Sequence, residues 1–161
     1  MAQLATFYLP EDEALLREVG RVVIRHSHLD HILRLAIKRM LGISIDDPGY
    51  MTETRGMTGA LRETVRELIA DAYGADDVMV EGLHALLDRA DVLSEHRNRL
   101  VHSVWMQAPG VEPRLNFREK NENGQYEHRE YELPTVDNLV YVEQEISSVL
   151  ELLDRVTRAL M

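Results

Sequence analysis

A long helical apolar stripe near the start of the chain is the feature that most restricts its fold. Between Pro10 and Leu41, apolar residues recur every three or four positions, which is the period of an α-helix. These residues are Leu15, Val19, Val22, Leu29, Leu33, Ala36 and Met40. Acidic residues at positions 11–13 suit the positive N-terminal end of a helix, and Gly42 suits its C-terminal end. The pattern predicts one long amphipathic helix.

The same period predicts three further helices. The second covers Thr58 to Tyr73, and the third covers about Val78 to Met106 after an N-terminal cap at Asp76 or Asp77. The last helix follows Pro134 and continues to the C-terminus.

Between residues 107 and 134 the pattern changes. Pro109, Gly110 and Pro113 interrupt the helical period, and Leu115 and Phe117 then alternate with polar residues. The dipeptide Asn-Gly at 123–124 is typical of a tight hairpin turn. The sequence therefore predicts an all-α fold, an antiparallel bundle of about four main helices, with a small two-stranded β-hairpin at about residues 111–133 before the last helix.

Composition limits the number of domains and the kinds of chemistry. A length of 161 residues fits one domain spanning 1–161. The absence of cysteine excludes thiol catalysis, disulfides and thiolate zinc sites, and it fits a reducing compartment. There is no signal-peptide pattern and no apolar run of about 18 residues, so we expect a cytoplasmic protein that does not enter a membrane. A net charge of −10 argues against broad binding to DNA but permits a local positive cleft.

Arg97, Asn98 and His102 are the candidate catalytic residues, because they place a cation, an amide and an imidazole near the end of the third predicted helix. The spacing of the Arg and the His is weak by itself, since Arg21 and His26 repeat it. Only Arg97 is followed directly by an Asn, which distinguishes this occurrence from the one at Arg21. Such groups suit RNA cleavage: imidazole exchanges protons near neutral pH, and a guanidinium stabilises charge on phosphate oxygens. No metal or other cofactor is required.

Helical geometry separates these three residues. Asn98 and His102 lie within about 40° of each other on the helix, whereas Arg97 lies about 140° from His102. A straight helix should therefore not direct Arg97 and His102 to one phosphate. Either a distorted helix or a twofold dimer with a shared cleft would bring them together. The alternative is a purely structural role, in which these side chains cap the helix, pair with Asp91 or Glu95, or belong to a polar dimer interface.

The string Arg-Asn-x-Leu-Val-His, late in a core helix and before the final helix, resembles the HEPN superfamily. Many members of that family are metal-independent endoribonucleases, often toxins of toxin–antitoxin or phage-defence systems. The resemblance implies catalysis by Arg97, Asn98 and His102, an RNA substrate, a homodimer with paired motifs around one cleft, and in some systems an antitoxin protein as partner. Some members have lost catalysis, so a non-catalytic helical binding module is the alternative. The predicted hairpin departs from the minimal family plan.

A second string, His26-Ser-His28-Leu-Asp30-His31, matches a metal-binding pattern of metallo-β-lactamase-like hydrolases. In this chain it lies within the first predicted helix rather than in a loop after a strand. There His26 and Asp30 fall on the apolar face while His28 and His31 point to the opposite side, so they cannot hold one ion. We expect His26 and Asp30 to form a hydrogen-bonded polar pair in the core or lining the cleft.

Two other groups receive a structural interpretation. Trp105 is expected in the core or at a dimer surface. Arg55, Arg62 and Arg66 are expected on a solvated helix face rather than along a path for RNA.

Overall fold

Four helices and a small antiparallel sheet make up the part of the protein that the structure describes. The computed structural model describes residues 6–47, 58–74 and 76–159. In these ranges the helices are α1 (Glu13–Met40), α2 (Thr58–Tyr73), α3 (Val78–His102) and α4 (Val136–Ala159). The strands are β1 (Thr6–Phe7), β2 (Val104–Gln107), β3 (Arg114–Lys120) and β4 (Tyr126–Glu132). The predicted set of four main helices is confirmed, and the fold is mostly helical.

The first and third helices begin where an aspartate caps them. Asp12 accepts hydrogen bonds from the backbone N–H groups of Ala14 and Leu15, so α1 begins at Glu13 and not at Pro10. Of the two candidate caps of α3, Asp77 is the one used, and its carboxylate accepts from the N–H of Met79 at 2.7 Å.

The prediction of an all-α fold with only a two-stranded hairpin underestimates the β-structure. The described residues form a four-stranded antiparallel sheet in the order β1-β2-β3-β4. Its second strand is Val104–Gln107. Residues 104–106 of this strand were predicted to belong to the third helix. That helix ends at His102 because Ser103 is already extended, with φ −73° and ψ 147°. The β3–β4 hairpin itself is present, and Gly124 of its turn has a φ of +76°, which favours glycine.

All four helices contribute to one apolar core, and the sheet is anchored to it beside the end of α3. The fully buried core includes Leu29, Leu33, Leu87 and Ile146. From the sheet, Leu115 is buried and the paired Trp105 packs against the same core, as predicted. The indole of Trp105 also donates to the carbonyl of Leu100 at 3.1 Å. None of the helices in the described ranges is long and apolar enough to cross a membrane.

Replacing the cap of α3 should destabilise the fold. Asp77→Ala removes the acceptor for the N–H of Met79, and we expect a loss of about 1 kcal/mol in the free energy of unfolding, measured by urea denaturation. The neighbouring Asp76→Ala is the matched control and should change this energy by much less. Equal losses in both variants would contradict the assignment of the cap.

Candidate active site

The three candidate catalytic residues lie in the last two turns of α3, where the helix passes directly into strand β2. Arg97 and Asn98 are half-buried, and His102, the last residue of the helix, is exposed. Leu100 on the adjacent face is buried in the core. The core contact fixes the rotation of the helix, so the exposed end of the motif is held in a defined place.

The guanidinium of Arg97 reaches both other motif residues within one chain. Its Nη1 donates to Oδ1 of Asn98 at 3.0 Å and lies 3.5 Å from Nε2 of His102. We expected that a straight helix would not direct Arg97 and His102 to one phosphate, yet the structure brings the two side chains within 3.5 Å of each other. Helical angles fix only where a side chain begins, and the long, flexible arginine stem spans the remaining gap.

The contact between Arg97 and His102 has a defined direction. A guanidinium can only donate, so Nε2 of His102 is the acceptor. At 3.5 Å this contact is weak. The Asn98 carbonyl oxygen is occupied by Arg97, which orients the amide and leaves its NH₂ group as a donor.

Behind the motif, His26 of α1, Arg62 of α2 and Ser94 of α3 form a buried polar cluster. Each is at least 94% buried, with exposures of 2%, 6% and 3% respectively. The Ser94 hydroxyl donates its one proton to the carbonyl of Ala90 at 2.8 Å. It therefore accepts from Nε2 of His26 and from Nη1 of Arg62, both at 2.8 Å. One hydroxyl thus joins three helices.

Two arginines of α2 form ion pairs with carboxylates of α3. Arg62 Nε donates to Asp91, and Arg66 Nη2 bonds both Asp91 at 2.9 Å and Asp88 at 2.8 Å. The expectation that Arg62 and Arg66 form a solvated face is wrong, because Arg62 is buried and only 15% of the Arg66 side chain is exposed. Arg55 lies outside the described residues. Asp91 is thus engaged by α2 and not by the motif.

The pKa of His26 is lowered. Burial is the largest cause, Asp30 opposes it, and the positive charges of Arg97 and Arg62 add to the lowering. His26 is therefore neutral, with its proton on the Nε2 that donates to Ser94. Its Nδ1 lies 3.7 Å from Oδ2 of Asp30, which places the two as neighbours but not at hydrogen-bonding distance.

The two other histidines of the string lie on the side of α1 that was predicted for them. His28 and His31 are exposed and line a groove between α1 and α4, away from His26. Among the residues that the structure describes, no three or more His, Asp or Glu side chains are placed to hold a metal ion.

A cavity of about 290 Å³ lies on another side of α3, between α4 and the sheet. Its polar lining includes His96, Arg99 and Tyr131, and the guanidinium of Arg99 stacks 4.7 Å from the ring centre of Tyr131. Burial lowers the pKa of His96, and the charge of Arg99 lowers it further. Arg97, Asn98 and His102 are not part of this lining, so the motif and the cavity are separate features.

Sequence reasoning missed Ser94, and it considered Asp91 only as a partner of the motif and not of Arg62 and Arg66. A signal for Ser94 was present: it follows Leu83, Leu87 and Ala90 at helical spacing, so a hydroxyl occupies a core position of α3. A buried hydroxyl needs partners, and His26 at a core position of α1 was an available one. No local pattern linked Asp91 to α2.

Comparisons of the chain with protein-family models, with curated proteins and with solved structures found no match. The resemblance to the HEPN superfamily therefore stays a prediction that rests on residues 97–102.

The lowered pKa of His26 predicts a dependence of stability on pH. The unfolded state takes up a proton on His26 below about its ordinary pKa of 6.5, which the folded state resists. The free energy of unfolding should therefore fall as the pH drops below about 6.5 and should be fully retained above it. We expect His26→Gln, which cannot titrate, to show a smaller fall between pH 7 and pH 5, measured by urea denaturation.

His28→Gln is the control for this experiment, since His28 is an exposed histidine of the same helix. It should keep the pH dependence of the unaltered protein. An unchanged pH dependence in His26→Gln would show that other groups cause it.

Proposed function

We propose that this protein is a metal-independent endoribonuclease of the HEPN type that acts as a homodimer. The observation that carries the proposal is the convergence of a guanidinium, an amide and an imidazole at one exposed helix end, with 3.0 and 3.5 Å contacts from Arg97. These are the groups needed to cleave an RNA phosphodiester without a metal.

In the proposed reaction the neutral imidazole of His102 takes the proton of a ribose 2′-hydroxyl. The 2′-oxygen then bonds to the adjacent phosphorus, and the bond from phosphorus to the 5′-oxygen breaks. The products are a 2′,3′-cyclic phosphate and a 5′-hydroxyl, whose proton comes from an imidazolium or from water. Arg97 stabilises the charge on the phosphorane oxygens, and the Asn98 NH₂ group donates to one of them.

Two exposed valines beside His102 support a dimer at this place. Val101 precedes His102 within the motif, Val104 follows it by two residues, and they are 41% and 42% exposed. A second copy of the chain would cover apolar surface here and bring a second motif to the same cleft. In this proposal the biological setting is a toxin–antitoxin or phage-defence system, with an antitoxin protein as a further partner.

One observation favours a second function, a non-catalytic helical binding module. The hydrogen bonds of Arg97 go to two residues of its own helix end, which is also what a structural capping group does. The two functions differ in what the loss of His102 changes.

Purified protein should cut single-stranded RNA in EDTA and leave 2′,3′-cyclic phosphate ends, detected by gel electrophoresis and end-group analysis. His102→Ala and Arg97→Ala should each reduce the rate at least a hundredfold, because each removes a group that acts in the transition state. Arg21→Ala is the matched control, since Arg21 begins the other Arg-x4-His string and is exposed. Equal rates for His102→Ala and the unaltered protein, or no cleavage of varied RNAs, would leave the binding module as the function.

Mixing two inactive variants tests the shared cleft. If two motifs face one phosphate, then dimers formed from Arg97→Ala and His102→Ala subunits retain one guanidinium and one imidazole in the cleft. We expect cleavage to reappear after the subunits exchange, with a native mass of about twice 18.5 kDa. A mixture as inactive as its components would assign the whole catalytic set to a single chain.

In cells, the toxin setting predicts growth arrest on expression of the protein. Arg97→Ala and His102→Ala should relieve it, because both remove RNA cleavage. Growth arrest that persists in both variants at equal protein levels would argue against a toxic ribonuclease.

A further inference from the structure

One side of the small sheet carries basic and aromatic residues on an otherwise acidic protein. Because paired residues share a face, the register places Arg114, Asn116, Arg118 and Lys120 of β3 on the same side as Tyr126 and His128 of β4. The other side carries Leu115, which is buried against the helices. We call the first side, defined by those six residues, the outer face of the sheet.

The cations of the outer face are available to a ligand. In the part of the chain that the structure describes, Arg114, Arg118 and Lys120 take part in no ion pair. Many other arginines of this acidic chain are occupied by carboxylates, as Arg89 is by Glu145 and Arg158 is by Asp154. Three cations without a carboxylate partner, on one side of one strand with Asn116 between the first and the second, are therefore a local exception to the net charge of −10.

An exposed aromatic ring lies among these cations. The guanidinium of Arg118 stacks 4.6 Å from the ring centre of Tyr126, and the ammonium of Lys120 lies 5.4 Å from it. Tyr126 is nevertheless 60% exposed, so its ring can also receive a planar ligand. Beside it, Nδ1 of His128 donates to Oδ1 of Asn116 at 2.8 Å, which leaves the Asn116 NH₂ group as a donor.

We propose that the outer face of the sheet binds single-stranded RNA and leads it to the motif at the end of α3. Alternate residues of a strand are about 6.8 Å apart, so Arg118 and Lys120 have about this spacing and Arg114 lies about twice as far from Arg118. The three cations form a row that can follow a sugar–phosphate backbone. An aromatic ring beside such a row is the means by which proteins stack unpaired bases. The proposal rests on the proposed function and names the surface that holds the substrate.

The register also gives the path to the candidate catalytic residues. Asn116 is paired with Val104 of β2, and Val104 follows His102 by two residues. The acidic residues of the same face, Glu130 and Glu132, lie on β4, which is the neighbour of β3 on the side away from β2. Glu130 and Glu132 are opposite Asn116 and Arg114, so their charge repels phosphates from that end of β4 only. A strand that follows the cations of β3 from Tyr126 therefore leaves them over Val104 of β2, towards His102.

The test measures binding of a 2′-O-methyl oligouridylate of about 20 nucleotides, which lacks the 2′-hydroxyl needed for cleavage. Fluorescence anisotropy should show a salt-dependent affinity for the unaltered protein. The triple variant Arg114→Ala, Arg118→Ala, Lys120→Ala should bind at least tenfold more weakly. The slope of the logarithm of affinity against that of salt concentration should fall by about 2, for three lost phosphate contacts.

Matched controls separate the face from net charge. The triple variant Arg21→Ala, Arg155→Ala, Arg158→Ala removes the same charge from exposed helical positions and should bind nearly as well as the unaltered protein. Tyr126→Ala should weaken binding about tenfold by removing the stacking ring, and Tyr126→Phe should retain it.

Each result bears on one proposal or the other. If the two triple variants bind the oligouridylate equally, or if the unaltered protein does not bind it, the outer face is not an RNA surface, whatever the cleavage assay shows. Binding of poly-L-glutamate as tight as that of the oligouridylate, with no effect of Tyr126→Ala, would overturn the proposal in favour of an acidic protein partner. Binding that depends on the face without any RNA cleavage would leave this inference standing and refute the nuclease.

Discussion

The packing of the three helices behind the candidate site depends on the hydrogen bonds of the Ser94 hydroxyl. It receives hydrogen bonds from α1 through His26 and from α2 through Arg62, while its own proton returns to the backbone of α3. A buried donor or acceptor without a partner costs about 1–3 kcal/mol, so none of the three helices can shift without an energetic cost. Arg97 lies one turn further along α3, and its charge acts on His26. The buried polar cluster therefore links the packing of three helices and lies close enough to the motif for the charge of Arg97 to lower the pKa of His26.

Helices could be predicted here because each one carries its own signal. Apolar spacing located α1 and α2, and the caps and breakers set most boundaries within a few residues. Strand β2 could not be found in this way, since Val101, Val104 and Trp105 continue the apolar stripe of α3. Only its pairing with β3 and β1, which are distant in sequence or very short, determines that these residues are extended. Local sequence patterns do not indicate such contacts.

The candidate site could likewise be predicted only in part from the sequence. The identity of Arg97, Asn98 and His102 as a group came from their order in the chain, but their mutual geometry did not. Helical angles describe Cβ directions, whereas the position of a guanidinium depends on four further torsions and on what surrounds it. The ion pairs of Arg62 and Arg66 with α3 were hidden for a related reason, because the partners belong to different helices. Interactions between elements depend on the tertiary arrangement that sequence periodicity leaves open.

The direct junction between α3 and β2 restricts how this chain can vary. Only Ser103 separates the last helical residue from the first residue of the strand. Successive strand residues point to opposite sides, so one extra residue at this junction would turn Trp105 to solvent and Val104 towards the core. The spacing between His102 and Trp105 is therefore fixed by the alternation of the sheet. Length changes would be tolerated far better in the exposed turn at 121–125, at the other end of the hairpin.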